Sequence, residues 1–294
     1  MIQTKILKGK EVAEHVFEGI IPRIDSLKNN GVTPGLAAVL VGDDPASRIY
    51  VRNKTKTFER LGLYTETIKL SDDIQEDFLI AQINDLNSNS EIHGILVQLP
   101  LPKHINSKSI LNKILPKKDV DGFHSENLGL LTSGNPRYIP CTPKGILEIL
   151  KFYDVSCEGK HVVVVGRSNI VGRPLSILLG LKTEYGNATV TVCHSRTPDI
   201  PKFTRDADII IAAVGVPEMI TGEIVKENAV IIDVGINRVE DESEKGYHLA
   251  GDVDFESVHG IASALTPVPG GVGPMTIAIL VSNTVEAAES FVSG

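Results

Sequence analysis

Short apolar runs alternate with amphipathic stretches along most of the chain. In the first half the apolar runs predict strands at 35–42, 64–70 and 94–100, with helices at about 46–61, 74–88 and 106–115. After Gly159 the pattern restarts, with strands predicted at 161–166, 188–194, 208–215 and 229–235. This alternation is typical of βαβ units on a largely parallel sheet. The sequence therefore predicts an α/β fold made of two successive α/β units.

Two further helices are predicted, one between the halves and one at the end of the chain. Thr142 is a suitable N-cap and Pro143 fits the first helical position, so a helix is expected to run on to Tyr153. The last stretch, "PMTIAILVSNTVEAAESF", predicts one long helix from Pro274. Its periodicity does not decide which half it packs against.

The helix predicted at 46–61 carries a lysine on its apolar face. The members of that face, which recur at helical spacing, are Ser47, Tyr50, Val51, Lys54, Phe58 and Leu61. The neighbouring Lys56 falls about 200° away, on the solvated side. Burying an ammonium group is costly unless the group is paired. Lys54 therefore either takes part in chemistry or carries its amine to water along the edge of the stripe.

Two polar side chains follow the predicted sheet of the first half. Gln98 ends an apolar strand, and Asp121 lies in the turn "KKDVDGF". Open α/β sheets bind ligands at the carboxyl ends of their strands. Alone, each residue has an ordinary explanation as a capping amide or a turn carboxylate. Together with Ser47, Tyr50 and Lys54 they predict a site with a proton-transfer group, an orienting amide, a stacking ring and an anchoring carboxylate.

The second half opens with a strand, a glycine-bearing turn and a helix, "HVVVVGRSNIVGRPLSILL". Gly166 keeps the tight turn of a dinucleotide-binding loop, Ser168 replaces the second glycine, and Gly172 comes one residue late. Backbone N–H groups and the helix dipole at such a turn attract a pyrophosphate. A purely structural strand–turn–helix is the alternative.

The next strand ends in "CHSRT", without the carboxylate that usually binds the ribose hydroxyls of NAD. A hydroxyl and a guanidinium, Ser195 and Arg196, stand there instead, with Arg167 in the first loop. These groups suit a ribose 2′-phosphate, so NADP is the predicted cofactor. Arg196 as a plain surface residue is the alternative.

Composition narrows the class of protein. The 294 residues are 42% apolar and 22% charged with a net charge of −8, which indicates a globular protein without a nucleic-acid or anionic-membrane surface. The three cysteines lack CxxC or CxH spacing, which fits a reducing compartment and indicates no disulfide framework or metal site. The N-terminus has no apolar signal core, so the cytoplasm is the expected location.

Motifs spread over nearly the whole chain resemble those of the bifunctional methylenetetrahydrofolate dehydrogenase/cyclohydrolase family. They are "YVRNKTK", "VQLPLP", "KDVDG", "PCTPKG", "VVGRSNIVGRP", "CHSRT", "DVGIN", "GDVDF" and "TPVPGGVGPMT", in that order. The resemblance implies two α/β domains with a cleft between them. Residues 1–141 with 274–294 would form the folate-binding catalytic domain, and 142–273 a Rossmann-type NADP-binding domain.

The resemblance also implies a role for each candidate residue. The catalytic group would comprise the lysine Lys54, the orienting Gln98, the nearby Ser47 and the pterin-holding Asp121. The folate-contacting group would comprise Tyr50, which stacks on the ligand, with Val97, Leu99, Pro267, Val268, Pro269, Gly270 and Gly271. The cofactor group would comprise Gly166, Arg167, Ser168, Ser195, Arg196 and Ile236. No metal is implied.

The implied activity is the NADP-dependent oxidation of 5,10-methylenetetrahydrofolate to 5,10-methenyltetrahydrofolate, followed by hydrolysis to 10-formyltetrahydrofolate. This chemistry belongs to one-carbon metabolism, including purine biosynthesis, and family members are homodimers. The rivals are a monofunctional NAD-dependent dehydrogenase of the same family, a shikimate-type NADP dehydrogenase and a non-catalytic nucleotide-binding protein. Lys54 and Gln98 favour the second activity, and "SRT" favours NADP.

One stretch departs from the family pattern. "GLKTEYG", between the first helix and second strand of the second unit, is longer than in many members. A longer helix or a surface loop is expected there, close to the adenosine end of a bound cofactor.

Overall fold

The computed structural model describes residues 2–243 and 246–293. Its strands are β1 (Lys5–Ile6), β2 (Gly35–Val41), β3 (Tyr64–Leu70), β4 (Gly94–Val97), β5 (His161–Val165), β6 (Thr189–Cys193), β7 (Ile209–Ala212), β8 (Val230–Asp233), β9 (Asn237–Glu240), β10 (Tyr247–Ala250) and β11 (Ala264–Leu265). Its helices are α1 (Gly9–Asn29), α2 (Pro45–Arg60), α3 (Glu76–Ser88), α4 (Ser107–Leu111), α5 (Ser125–Thr132), α6 (Cys141–Phe152), α7 (Gly172–Gly180), α8 (Pro201–Thr204), α9 (Phe255–Val258) and α10 (Val272–Ser293).

The chain divides into two compact units. The large-sheet unit comprises the chain up to Glu14 and Thr142–Thr276, and the small-sheet unit comprises His15–Cys141 and the chain from Ile277. The small sheet has the parallel order β3-β2-β4. The large sheet has the parallel order β1-β11-β8-β7-β5-β6, and β9 and β10 form a separate antiparallel hairpin. The predicted α/β class with parallel sheets is confirmed.

The apolar runs became the central strands because both faces of such strands are covered. All seven residues of β2 are buried, and four of the five residues of β5 are. In the small-sheet unit Ala37 and Val39 pack in one core cluster with Leu79 and Ile83 of α3. In the large-sheet unit Val163 anchors another core cluster, with neighbours from β7 and β8.

The first strand, β1, pairs with β11 and so belongs to the large sheet. The sequence instead assigns all of residues 1–141 to the catalytic domain. Leu7 donates from its backbone N–H to the Leu265 carbonyl, at 2.9 Å, and the Thr4 hydroxyl donates to the Ala262 carbonyl, at 2.7 Å. β1 is only two residues long, so its periodicity carries no signal. Long-range pairing alone decides its place.

Two predicted helix starts are wrong by a few residues. α6 begins at Cys141, so Thr142 and Pro143 lie in its first turn, and the Thr142 hydroxyl contacts that of Thr276 at 3.3 Å instead of capping the helix. α10 begins at Val272, because the segment before Pro274 is already helical. The predicted insertion is a loop, since α7 ends at Gly180.

Most of α10 is buried inside the protein. Asn283 anchors it, because its Nδ2 donates to the carbonyls of Val120 at 2.8 Å and Ile139 at 3.1 Å. By length and composition α10 is the one helix in the described ranges that passes the test for a membrane span. The core helix of a globular protein can have the same length and composition. The hydrogen bonds of the buried Asn283 side chain indicate that α10 is such a core helix.

Candidate active site

The N-terminus of α2 is defined by an aspartate and a proline. Asp44 lies at the N-cap, where its Oδ2 accepts a hydrogen bond from the Ser47 backbone N–H at 2.7 Å, and Pro45 opens the first turn. This start sets the helix rotation, so Ser47, Lys54 and Phe58 are buried on one face. Tyr50, on the edge of that face, stays 37% exposed. Val51 of the predicted stripe is buried as well, whereas Leu61 lies just beyond the end of α2 and is only partly buried.

The Lys54 amine is buried, with 7% of the residue exposed. Its Nζ donates to Gln98 Oε1 at 3.2 Å. The other end of the same amide, Gln98 Nε2, donates to the Leu99 carbonyl at 2.7 Å, which turns the amide oxygen toward the amine. Within the described residues Gln98 supplies the only hydrogen bond to this amine. The amine is therefore held by the neutral oxygen of an amide.

The other predicted residues of the small-sheet unit are less tightly assembled. Asp121 is partly buried, and in the described part of the chain no hydrogen bond or ion pair joins it to Lys54 or Gln98. Val97 is only 3% exposed and Leu99 is partly buried, and both pack with the core cluster of α3. The Val97 side chain therefore faces the core.

The turn that carries Asp121 is built around a second aspartate. Asp119 is fully buried and accepts three hydrogen bonds, from the backbone N–H groups of Phe123 at 3.2 Å and His124 at 2.8 Å and from Asn127 Nδ2 at 2.7 Å. Burial raises the pKa of the Asp119 carboxyl to about 7. The sequence shows two aspartates two residues apart, and only the fold separates the buried one from the partly exposed one.

We expect Asp119 to make stability depend on pH between about 4 and 7. Because the pKa of Asp119 is raised on folding, the folded state binds its proton more tightly, so the free energy of unfolding is highest in acid and falls as pH rises through this range. Chemical denaturation at several pH values measures the slope. Asp119→Asn keeps the shape without the titration, so a variant with the same slope as the wild type would contradict this assignment.

The large sheet changes direction between β5 and β7. β6 lies on one side of β5, and β7 on the other, so the chain reverses its progress across the sheet there. Ligands of open α/β sheets bind beyond the carboxyl ends of the strands at such a point. A pocket of about 330 Å³ lies there, lined by Gly166, Arg167, Ser168, His194, Ser195, Ile200, Ala213, Val214, Val216 and Met219.

The glycines of this pocket are required by close backbone packing. A Cβ at Gly166, whose φ is 133°, would overlap the Ala213 carbonyl, and one at Gly172 would overlap the Gly166 carbonyl. Ser168, in place of the second glycine, accepts from the Val171 N–H at 3.1 Å with its Oγ. The predicted glycine-bearing turn is thus a tightly packed loop at the start of α7.

Arg196 and Ile236 do not line this pocket, although the other four predicted cofactor residues do. Arg196 lies beside it, exposed, with its N–H bonded to His194 Nδ1 at 3.1 Å. In the described ranges neither Arg167 nor Arg196 has an ion-pair partner, so both guanidinium groups are available to a phosphate. The sequence reasoning missed Ala213, Val214, Val216 and Met219, because this apolar segment carries no chemical signal beyond the end of a strand.

A pair of buried aspartates supports the wall of the pocket. Asp252 Oδ2 accepts from the backbone N–H groups of Val214 at 2.6 Å and Gly215 at 3.0 Å. Asp233 accepts from the N–H groups of Asp252 at 2.9 Å and Val253 at 3.0 Å, and burial raises its pKa to about 6. These aspartates belong to the "DVGIN" and "GDVDF" motifs.

The remaining folate candidates, Pro267 to Gly271, lie in the large-sheet unit. Pro267, Val268 and Gly270 are partly buried, Pro269 is exposed and Gly271 is buried. Gly9 packs against this segment, since its N–H donates to the Gly270 carbonyl at 3.0 Å and a Cβ there would overlap the Gly271 carbonyl. The segment is a firmly held loop that leads directly into α10.

Two family models match the chain. The model of the tetrahydrofolate dehydrogenase/cyclohydrolase catalytic domain matches residues 7–121, and that of the NAD(P)-binding domain of the same family matches residues 140–292. A relative from Haloquadratum walsbyi, named bifunctional protein FolD, is 52% identical over 285 residues, which cover 97% of this chain and 91% of the relative.

Solved structures give the same result. The bifunctional enzyme FolD, a methylenetetrahydrofolate dehydrogenase/cyclohydrolase from Campylobacter jejuni, matches with a TM-score of 0.92 and 45% identity, covering 98% of this chain and 99% of its own. The Trypanosoma brucei enzyme, complexed with NADP cofactor and inhibitor, matches with a TM-score of 0.94 and 36% identity over 100% of both chains. This chain belongs to the tetrahydrofolate dehydrogenase/cyclohydrolase family.

Proposed function

We propose that this protein is a bifunctional enzyme that oxidises 5,10-methylenetetrahydrofolate to 5,10-methenyltetrahydrofolate with NADP and then hydrolyses the product to 10-formyltetrahydrofolate. The observation that carries the proposal is the buried Lys54 amine on Gln98, in a family whose description names both a dehydrogenase and a cyclohydrolase. A monofunctional NAD-dependent dehydrogenase is not favoured, because its single reaction has no proton-transfer step that would use this amine.

The pocket at the turn of the large sheet suits NADP. The Gly166–Ser168 loop is a backbone cradle for the pyrophosphate, and Arg167 and Arg196 offer guanidinium groups to a 2′-phosphate. A dinucleotide held there would supply the acceptor for the hydride of the one-carbon bridge. The task of the protein in this step is alignment and exclusion of water, so no residue needs to move a proton.

The hydrolysis needs proton transfer. Water adds to the methenyl carbon, the bond from that carbon to the N5 nitrogen breaks, N5 gains a hydrogen, and a net proton is released. Lys54 mediates these transfers, while Gln98 orients its amine. Tyr50 stacks on the folate, Asp121 holds the pterin ring and Ser47 supports the amine. The Val97–Leu99 backbone lines the folate, and the folate contacts of Pro267 to Gly271 stay a prediction.

A spectrophotometric assay tests both steps. Methylenetetrahydrofolate with NADP should yield NADPH and then formyltetrahydrofolate, and initial rates with NAD in place of NADP should be much lower. Equal rates with the two cofactors, or accumulation of the methenyl compound without enzymatic hydrolysis, would contradict the proposal.

We expect Arg196→Gln to weaken selection of NADP over NAD. The loss of one charge-assisted bond to the 2′-phosphate should lower kcat/KM for NADP by about 10- to 100-fold, with little change for NAD, which lacks that phosphate. Steady-state kinetics with each cofactor measures the ratio. An equal loss of kcat/KM with both cofactors would mean that Arg196 binds the pyrophosphate or stabilises the fold, and does not recognise the 2′-phosphate.

We also propose a cytoplasmic homodimer that serves one-carbon metabolism, including purine biosynthesis, without nucleic-acid or membrane partners. The net charge of −8 and the three buried free cysteines fit this proposal. Size-exclusion chromatography coupled to light scattering tests the oligomeric state. A dimer should have twice the mass of the chain, whereas a mass near 31.7 kDa would mean a monomer.

A further inference from the structure

A groove runs between α2 and the edge strand β3. It encloses about 560 Å³ and is lined by Leu40, Pro45, Arg48, Ile49, Val51, Arg52, Thr55, Lys56, Glu59, Thr67 and Lys69. Arg52 and Lys54 are two residues apart, which turns them about 200° from each other around the helix axis. Neither Lys54 nor Gln98 lines the groove, so it is distinct from the Lys54–Gln98 site.

The groove concentrates positive charge on an acidic protein. Four cationic side chains line it against a single carboxylate, Glu59, while the whole chain has a net charge of −8. Arg48 is bonded to Asp43 at 3.0 Å. Arg52, Lys56 and Lys69 have no ion-pair partner anywhere in the described part of the chain.

The cations form a row that works against helix stability. Arg48, Arg52 and Lys56 are spaced four residues apart, so like charges lie one above another over about 12 Å of the helix. Such spacing destabilises a helix, whereas an anion lying along the row would turn the repulsion into attraction. Lys69 faces the row from β3, which gives the groove a cation on its second wall.

The base of the groove is apolar. Leu40 and Val51 are buried beneath it, at 3% exposed each, and Ile49 is 44% exposed at its side. Hydroxyl groups complete the lining, since the Oγ1 atoms of Thr55 and Thr67 lie 3.2 Å apart across the two walls. The volume lies within the range of small-molecule sites, which combine an apolar surface with a few polar groups.

We propose that this groove binds an organic oligophosphate of the nucleoside di- or triphosphate class. Guanidinium groups pair with phosphate oxygens in a bidentate manner, and an extended oligophosphate matches a linear row of cations better than a single anion does. The base or sugar of the ligand rests on Leu40, Val51 and Ile49. Bound ligand ties α2 to β3 and stabilises the helix that presents Lys54.

Calorimetric titration with ATP tests the proposal, using protein saturated with NADP so that the dinucleotide pocket is occupied. We expect saturable binding that weakens with salt. Arg52→Gln/Lys56→Gln should raise Kd at least about tenfold, and Lys69→Gln alone several-fold. The control Lys108→Gln/Lys113→Gln removes the same charge from exposed positions in the same unit and should leave Kd unchanged. All variants change exposed side chains, and thermal melts verify folding.

The same titration contains the outcomes that overturn the proposal. Absence of saturable binding, or equal weakening by the groove and control double variants, would reduce the groove to a charged surface. Inorganic triphosphate should bind more weakly than ATP, because it lacks the base and the sugar. Equal affinity would contradict the proposed contact of the base or sugar with Leu40, Val51 and Ile49. Saturating ATP should leave KM for the methenyl substrate unchanged, whereas a competitive rise would place ATP in the folate site.

Discussion

Lys54→Met is expected to reduce cyclohydrolase turnover by about 10²- to 10⁴-fold, the usual contribution of a positioned proton-transfer group. Dehydrogenase activity should stay within a few-fold of the wild type, because hydride transfer needs no proton from this amine. Methionine fills the same space without a charge, so the melting temperature should not fall. Separate steady-state assays of the two half-reactions measure the effect.

Two companion variants sharpen this result. Lys54→Arg keeps a positive charge and a donor for Gln98, but a guanidinium does not release its proton in proteins, so the hydrolysis should remain defective. Lys108→Met makes the same substitution at an exposed lysine and should be silent. Wild-type cyclohydrolase turnover in Lys54→Met would refute the catalytic role, and full rescue by Lys54→Arg would assign Lys54 an electrostatic role only.

Asp252→Ala is expected to impair the NADP-dependent dehydrogenase step, to spare the cyclohydrolase step and to lower the stability of the fold. The substitution leaves the N–H groups of Val214 and Gly215 and the amide of Asn237 without their acceptor. Each such loss costs about 1–3 kcal/mol, so the free energy of unfolding should fall by about 3 kcal/mol or more. Because the Val214 segment lines the dinucleotide pocket, KM for NADP should rise at least about tenfold.

Denaturant titration and kinetics of both half-reactions measure this second prediction. Cyclohydrolase activity per folded molecule should persist, since that step uses Lys54. Asp206→Ala, at an exposed aspartate of the same unit, serves as the matched control and should change neither quantity. A wild-type KM for NADP in Asp252→Ala would show that the Val214 segment holds its position without this carboxylate.

Local periodicity in the sequence determined the central strands of both sheets, helix α2 and the position of Lys54 on that helix. β2 and β5 were predictable because a strand covered on both faces is continuously apolar. Helical spacing placed Lys54 on the apolar face with Val51 and Phe58, and the structure decided that its amine is buried. The four pocket residues Gly166, Arg167, Ser168 and Ser195 follow two of the strands, so their place at the carboxyl edge was also inferred.

Tertiary structure alone decided which polar groups are buried and what they contact. The sequence does not distinguish Asp119 from Asp121, or predict that Asp252 holds the Val214 segment, because their partners come from distant strands and turns. The two-residue β1 is too short for a periodic signal, and only its pairing with β11 assigns it to the large sheet. Periodicity reports the two sides of one element, whereas burial of a polar group depends on contacts between elements far apart in the chain.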